Sequence, residues 1–189
     1  MRMLIPFPRA IGLFYFISEV TLSLVKRARS TSTDADSGSI RLLWTVIVAS
    51  ISGAVFVASV VPGADSPFLR NQMPWWAAIC ITGIVLRWWA IIHLGRFFTV
   101  NVAIASDHHV VDDGPYSLVR HPSYTGALMG FVGMGLSVGN WLAAVVMVAP
   151  VLVAFLHRMR IEEDALAAAL GQPCRDYMAR TTRLIPFVY

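Results

Sequence analysis

The stretch "SYTGALMGFVGMGLSVGNWLAAVVMVAPVLVAFLH", residues 123 to 157, runs for 35 residues without an Asp, Glu, Lys or Arg. A helix needs roughly 20 residues to cross the hydrocarbon core of a bilayer, so this block is too long for one crossing. It divides at "VGNW", where Gly139 and Asn140 supply a tight turn and Trp141 an interfacial anchor. The block therefore predicts a helical hairpin.

Composition places that hairpin in lipid. Hydrophobic residues make up 57% of the 189-residue chain and charged residues only 14%, too little polar surface to cover a water-soluble globule. Three further apolar runs, residues 10 to 25, 42 to 62 and 74 to 94, bring the expected total to five transmembrane helices in an all-α membrane protein. The first run is the least regular, because Pro6, Pro8 and Arg9 crowd its start and Glu19 interrupts it. "KRARS" follows it rather than a small-residue cleavage site, which weighs against a cleaved signal peptide.

Basic residues set the expected orientation. One side of the membrane receives Lys26, Arg27, Arg29, Arg41, Arg96, Arg120, Arg158, Arg160, Arg175, Arg180 and Arg183, while the other receives Arg2, Arg9 and Arg70, and Arg87 lies within a helix. The richer side reads as cytoplasmic, with the N-terminus outside, in a multi-pass protein of the plasma or inner membrane. Anionic lipid head groups account for the net charge of +4, so no nucleic-acid partner is implied. Cys80 and Cys174 fall at opposite ends of the expected topology, so neither a disulfide nor a Cys-based metal site is expected. The Ser/Thr/Asp stretch at 30 to 39 reads as a flexible connector.

A single domain is expected, with residues 1 to 94 as three N-terminal membrane helices and 95 to 189 as loop, hairpin and tail. Its polar groups concentrate in two segments, 95 to 124 and 157 to 189, which flank the hairpin and are brought together by it. In the first, Asp113-Gly114-Pro115 is a strong turn signal, and His121-Pro122 places a proline where a helix begins. The N-H groups of that helix start point toward the cytoplasm, where they suit an anionic group, and His121 and Tyr124 add donors and a flat face. The plainer alternative makes Tyr116 and Tyr124 interfacial aromatics, Arg120 a topology marker and His121 a helix cap. His108 and His109 point different ways on any regular backbone and lack a carboxylate to complete a ligand set, so no metal is expected.

The second segment opens "FLHRMRIEEDALAAALGQP". It should continue the fifth crossing as a helix until Gly171 and Pro173 stop it. Arg158 and Glu162, four apart, share a face; such a pair is usually a solvated face, but Arg158 lies at the membrane boundary, where a partly desolvated ion needs a partner or a ligand. Arg160, Glu163 and Asp164 read as solvent-facing companions.

Together, "GPYSLVRHPSYTG", the glycine-rich hairpin, an arginine four residues before a glutamate, "ALG" and the closing "YMARTTRLIP" resemble the isoprenylcysteine carboxyl methyltransferase family of integral membrane enzymes. The resemblance covers roughly residues 95 to 189. It implies S-adenosylmethionine as cofactor, contacted by Asn101, His108, His109, Val110, Val111, Tyr116, His121, Pro122, Ser123, Tyr124 and Glu162. It implies Arg158 as the residue that holds the methyl acceptor, a lipophilic or lipidated carboxylate from the bilayer. Arg158 and Glu162 then form the catalytic pair.

The residue types suit such a transfer, which needs alignment of acceptor, methyl carbon and sulfur in a dry site rather than a strong base. An arginine can orient a carboxylate through two parallel hydrogen bonds. A phospholipid N-methyltransferase would present an amine, beside which an arginine is unhelpful, and a membrane sterol-type reductase using a nicotinamide cofactor ends in a similar hairpin and tail. A non-enzymatic assembly protein would leave the polar constellation without a ligand. Gly126 and Gly130 form a small-xxx-small pattern that reads as helix packing rather than catalysis.

Overall fold

A computed structural model describes residues 12, 15, 17, 18, 21, 34–98, 109–186 and 188. Among the described residues, six continuous α-helices follow in order: α1 (Asp34–Val60), α2 (Pro67–Asn71), α3 (Met73–Leu94), α4 (Pro122–Ser137), α5 (Trp141–Leu170) and α6 (Gln172–Arg180). Among the described residues, three segments are long and apolar enough to cross a membrane, Gly38–Val60, Met73–Leu94 and Trp141–Leu170. Helix α4 has 16 residues, about 24 Å of helix, which is less than the roughly 30 Å of a hydrocarbon core. The expected first crossing falls largely outside the described residues, although residues 12, 15, 17, 18 and 21 are helical.

The hairpin forms as its turn residues dictate. Gly139 adopts φ +78°, a left-handed conformation that favours glycine, and Asn140 caps α5 by accepting from the Ala143 N-H at 2.9 Å. The Asn140 amide also donates to the Val61 carbonyl at 2.9 Å and to Asp65 at 3.0 Å, so the hairpin turn is tied to the end of α1. Trp141 stays exposed beside it, as an interfacial anchor would.

Helix α4 packs on both sides. Toward α3 the backbones touch: a Cβ built on Gly126 would collide with the Gly83 carbonyl oxygen, and one on Gly133 would stand 2.5 Å from the Trp76 carbonyl oxygen. Gly130 receives the ring of Tyr15, which meets Phe131 edge-on at 5.8 Å. Small residues thus let helices approach where lipid supplies no hydrophobic drive between them. Toward α1 and α5 lies the main core, centred on Ala54, Phe131, Met147, Val151, Phe155 and Met159.

Two expectations change here. The Ser/Thr/Asp stretch is not all connector, because α1 begins at Asp34, and Ser39 and Ile40 pack against the core side of the bundle. Tertiary contact outweighs a composition that favours turns. Downstream, Gly171 at φ +67° ends α5 as expected, but Pro173 then sits in the first turn of a further helix, α6. The two cysteines are buried and unpaired.

Candidate active site

The 30 residues of α5 make about 45 Å of helix, longer than the hydrocarbon core, so its last turns project beyond the lipid. That places Arg158 to Glu163 near the boundary. The tail then folds back onto the loop that precedes α4. Thr182 pairs with Val119 in a parallel bridge, and the N-H groups of Arg120 and His121 donate to the carbonyls of Thr182 at 2.8 Å and Arg183 at 3.1 Å. Thr125 Oγ1 donates to the Leu184 carbonyl at 2.8 Å, Tyr177 Oη to the Tyr116 carbonyl at 2.7 Å, and Arg180 pairs with Asp112. The two polar segments therefore meet.

Arg158 is 1% exposed, which excludes the reading of it as part of a solvated face. Its Nε donates to Glu162 Oε1 at 3.2 Å, and its Nη1 donates to Ser39 Oγ of α1. Tyr124 Oη donates to the same Oε1 at 2.6 Å, with its ring tilted against Phe155 at 5.0 Å. Glu162 Oε2 faces His121 Nδ1 at 3.9 Å. Helices α4 and α5 thus meet at one carboxylate, through Tyr124 and Arg158, and α1 joins them through the bond of Ser39 to Arg158.

Glu163 is not the solvent-facing companion expected of it. It is 4% exposed, and its carboxylate accepts Arg183 Nη2 at 2.7 Å, Arg183 Nε at 3.0 Å and His121 Nε2 at 3.2 Å. Arg120 Nε lies 3.1 Å away, yet it makes no hydrogen bond among the described residues, so it contributes charge rather than a bond. Arg120 Nη1 donates instead to the Met178 carbonyl. The sequence carried a signal for this burial, since Val151, Phe155, Met159 and Glu163 recur every fourth residue on one buried stripe of α5. Arg160 and Asp164 are exposed, as expected.

The other expected contacts divide. Ser123 is buried and receives Arg87 of α3, whose Nη1 donates to its Oγ at 3.0 Å and to its carbonyl at 3.1 Å. Pro122 is buried in the first turn of α4, and His121 occupies the cap position without a side-chain capping bond. Tyr116 turns to α3, where its hydroxyl donates to the Ala90 carbonyl at 3.3 Å and its ring stacks on His93; burial pushes its hydroxyl pKa up. His93 bonds Asp113 at 2.7 Å, and that hydrogen bond holds the Asp113 carboxyl below the usual range. His109 is exposed with its ring edge-on to Phe97, and Val110 and Val111 are half-buried beside it. Asn101 and His108 lie outside the described residues. Among the described residues no group of three His, Cys, Asp or Glu side chains is placed to hold a metal.

These features define an α-helical, multi-pass integral membrane protein with a polar site at one end of its bundle. Residues 76–168 match the model of the isoprenylcysteine carboxyl methyltransferase (ICMT) family. The chain is 34% identical over 121 residues to protein-S-isoprenylcysteine O-methyltransferase B of Arabidopsis thaliana, covering 60% of this chain and 61% of that protein. It is 35% identical over 112 residues to protein-S-isoprenylcysteine O-methyltransferase of Tribolium castaneum, covering 58% of this chain and 40% of that protein. A solved structure of the eukaryotic intramembrane Ras methyltransferase ICMT superposes with a TM-score of 0.64 at 25% identity, covering 93% of this chain and 63% of that one. Over the segment they share, which is about half of the chain for the family match, this protein is similar to the isoprenylcysteine carboxyl methyltransferases. It spans about three-fifths of the length of the first curated relative. The family match begins inside α3, earlier than the motifs alone indicated.

Proposed function

We propose that this protein is an S-adenosylmethionine-dependent methyltransferase that methylates the carboxylate of a lipophilic, isoprenylcysteine-like acceptor drawn from the bilayer. The observation that carries the reading is Arg158, buried at the membrane boundary and bonded to Glu162 and Ser39. A guanidinium so placed suits a carboxylate acceptor and opposes an amine one. The family match over residues 76–168 supports the cofactor, and the names of the relatives support the acceptor class.

When bound, the cofactor supplies an electrophilic methyl group on a sulfonium. The chain's residues bind, orient and exclude water. Glu162 offers a carboxylate to an ammonium group, steadied by the hydroxyl of Tyr124. The start of α4, from Pro122 to Tyr124, offers backbone N-H groups and a helix dipole to an anionic group. His109, Val110, Val111 and Tyr116 complete the cofactor side, with Asn101 and His108 assigned to it by family resemblance. Arg158 holds the acceptor, and Arg158 and Glu162 make the catalytic pair. A positive and a negative charge vanish together in such a transfer, so the burial of this site favours it over water.

The reading includes five membrane crossings, with the short α4 and the segment around Tyr15 as two of them. It puts the end that carries α6 in the cytoplasm, where the basic residues gather. Equilibrium binding to purified protein in detergent tests the class. S-adenosylhomocysteine should bind and NADPH should not; the reverse would replace a methyltransferase with a reductase.

A further inference from the structure

Glu163 is the carboxylate on which the tail and the loop converge. Its neighbours Arg183 and Arg120 are cationic, so it stands as an ionised group that only accepts hydrogen bonds. The bond at 3.2 Å therefore requires a proton on His121 Nε2. In neutral His121 this leaves Nδ1 a bare acceptor. Nδ1 points to Glu162 Oε2 at 3.9 Å, too far for a hydrogen bond between them. Glu162 Oε1 meanwhile takes the bonds from both Tyr124 and Arg158. With His121 neutral, two acceptors stand face to face, an arrangement that repels itself unless donors come between them.

We propose that Glu163 is a positioning residue: by accepting the Nε2 proton of His121 it turns Nδ1 of His121 and Oε2 of Glu162 into a two-acceptor seat for an ammonium group. A ligand ammonium carries three N-H donors and is matched to two acceptors at this spacing. The seat rests on the cofactor reading above, because the amino group of S-adenosylmethionine is the ammonium it would take. Arg183 gives the device a second consequence. Through Glu163 the closing tail is linked to His121, so the ring is oriented when the tail is docked.

The first measurement needs no ligand. Nitrogen NMR of histidine-labelled protein in detergent near neutral pH, with His121→Asn assigning the signal, should show His121 protonated on Nε2 and bare on Nδ1. A proton on Nδ1, alone or together with one on Nε2, overturns the seat. The second measurement compares S-adenosylhomocysteine with its deamino analogue. The parent should prefer the amine by about tenfold or more, as loss of a hydrogen bond to a charged group implies. Glu163→Gln should shrink that preference severalfold while leaving the affinity for the deamino analogue near that of the parent. If both ligands weaken equally in Glu163→Gln, the residue is structural only and the proposal fails. If the parent binds neither ligand, the cofactor reading falls, and the ammonium seat falls with it even where the tautomer is as stated.

Discussion

Tyr124 Oη donates to Glu162 Oε1 at 2.6 Å, joining the first turn of α4 to the end of α5 across 38 residues of chain. The bond ties the "HPSY" turn to the Arg158–Glu162 pair and makes one site of two motifs. A hydrogen bond to a charged group contributes about 1.5–3 kcal/mol. Glu162→Gln should weaken S-adenosylhomocysteine binding by about that amount, measured by calorimetry. Tyr124→Phe should weaken it less, because Arg158 still holds the same oxygen. Parental affinity in both variants would remove Glu162 from the cofactor's contacts.

Arg158 and Ser39 should separate binding from turnover. Arg158→Ala is expected to keep most cofactor affinity and to lose methyl transfer to hydrophobic carboxylic acids in lipid nanodiscs, since alignment of the acceptor is what it supplies. Ser39→Ala removes one partner from a buried guanidinium. It should raise KM for the acceptor several-fold with cofactor affinity unchanged. Activity of Arg158→Ala on an amine acceptor, with no reaction of carboxylates, would instead favour a phospholipid-type enzyme.

The hairpin was legible in the sequence because lipid forbids a 35-residue apolar block with a Gly-Asn break any other compact arrangement. The Arg158–Glu162 pair was legible from its spacing of four. Glu163 and Ser39 were misread for a common reason: each has its partners on a distant segment, Arg183 and His121 for one, Arg158 for the other. Polarity alone placed them in water. Only the four-residue stripe through Phe155 and Met159 marked Glu163 as inward, and it ran past the end of the apolar block where a helical face is no longer sought. Asn140 was read as a turn former, yet its side chain also joins α1 to α5, a contact that turn propensity does not encode.

Orientation is testable with single cysteines in a background lacking Cys80 and Cys174. Phe68 and Asp176 are exposed at opposite ends of the bundle. In intact cells an impermeant thiol reagent should label Phe68→Cys and spare Asp176→Cys. The opposite pattern would put the site outside, away from cytosolic cofactor.

Backbone contact between α3 and α4 sets the position of the "HPSY" turn. Gly126→Leu drives a side chain into the Gly83 carbonyl and the backbone of Arg87. Overpacking of this kind costs about 1–3 kcal/mol or more, so thermal unfolding in detergent should fall by several degrees. Gly63→Ala is the control, because nothing lies within 4 Å of a Cβ there. Equal behaviour of the two variants would mean that the helices are not in backbone contact.

Alkaline pH should loosen the tail. Burial, with smaller electrostatic contributions, pushes the Tyr177 hydroxyl up to about 12 from the usual tyrosine value of 10.0. The folded protein thus holds this proton more tightly than the unfolded chain does. By linkage the resulting stability is fully present below pH 10 and is lost as pH rises from about 10 toward 12. The bond at stake is the one from Tyr177 Oη to the Tyr116 carbonyl, which fastens α6 to the loop before α4. Tyr177→Phe should lower the thermal midpoint at neutral pH through loss of that bond and flatten its fall above pH 10, with Tyr116, also raised by burial, accounting for the remaining slope. Identical alkaline slopes in parent and variant would show that Tyr177 ionises as freely in the folded protein as in water, and that the tail is held by Arg183 and Thr182 without it.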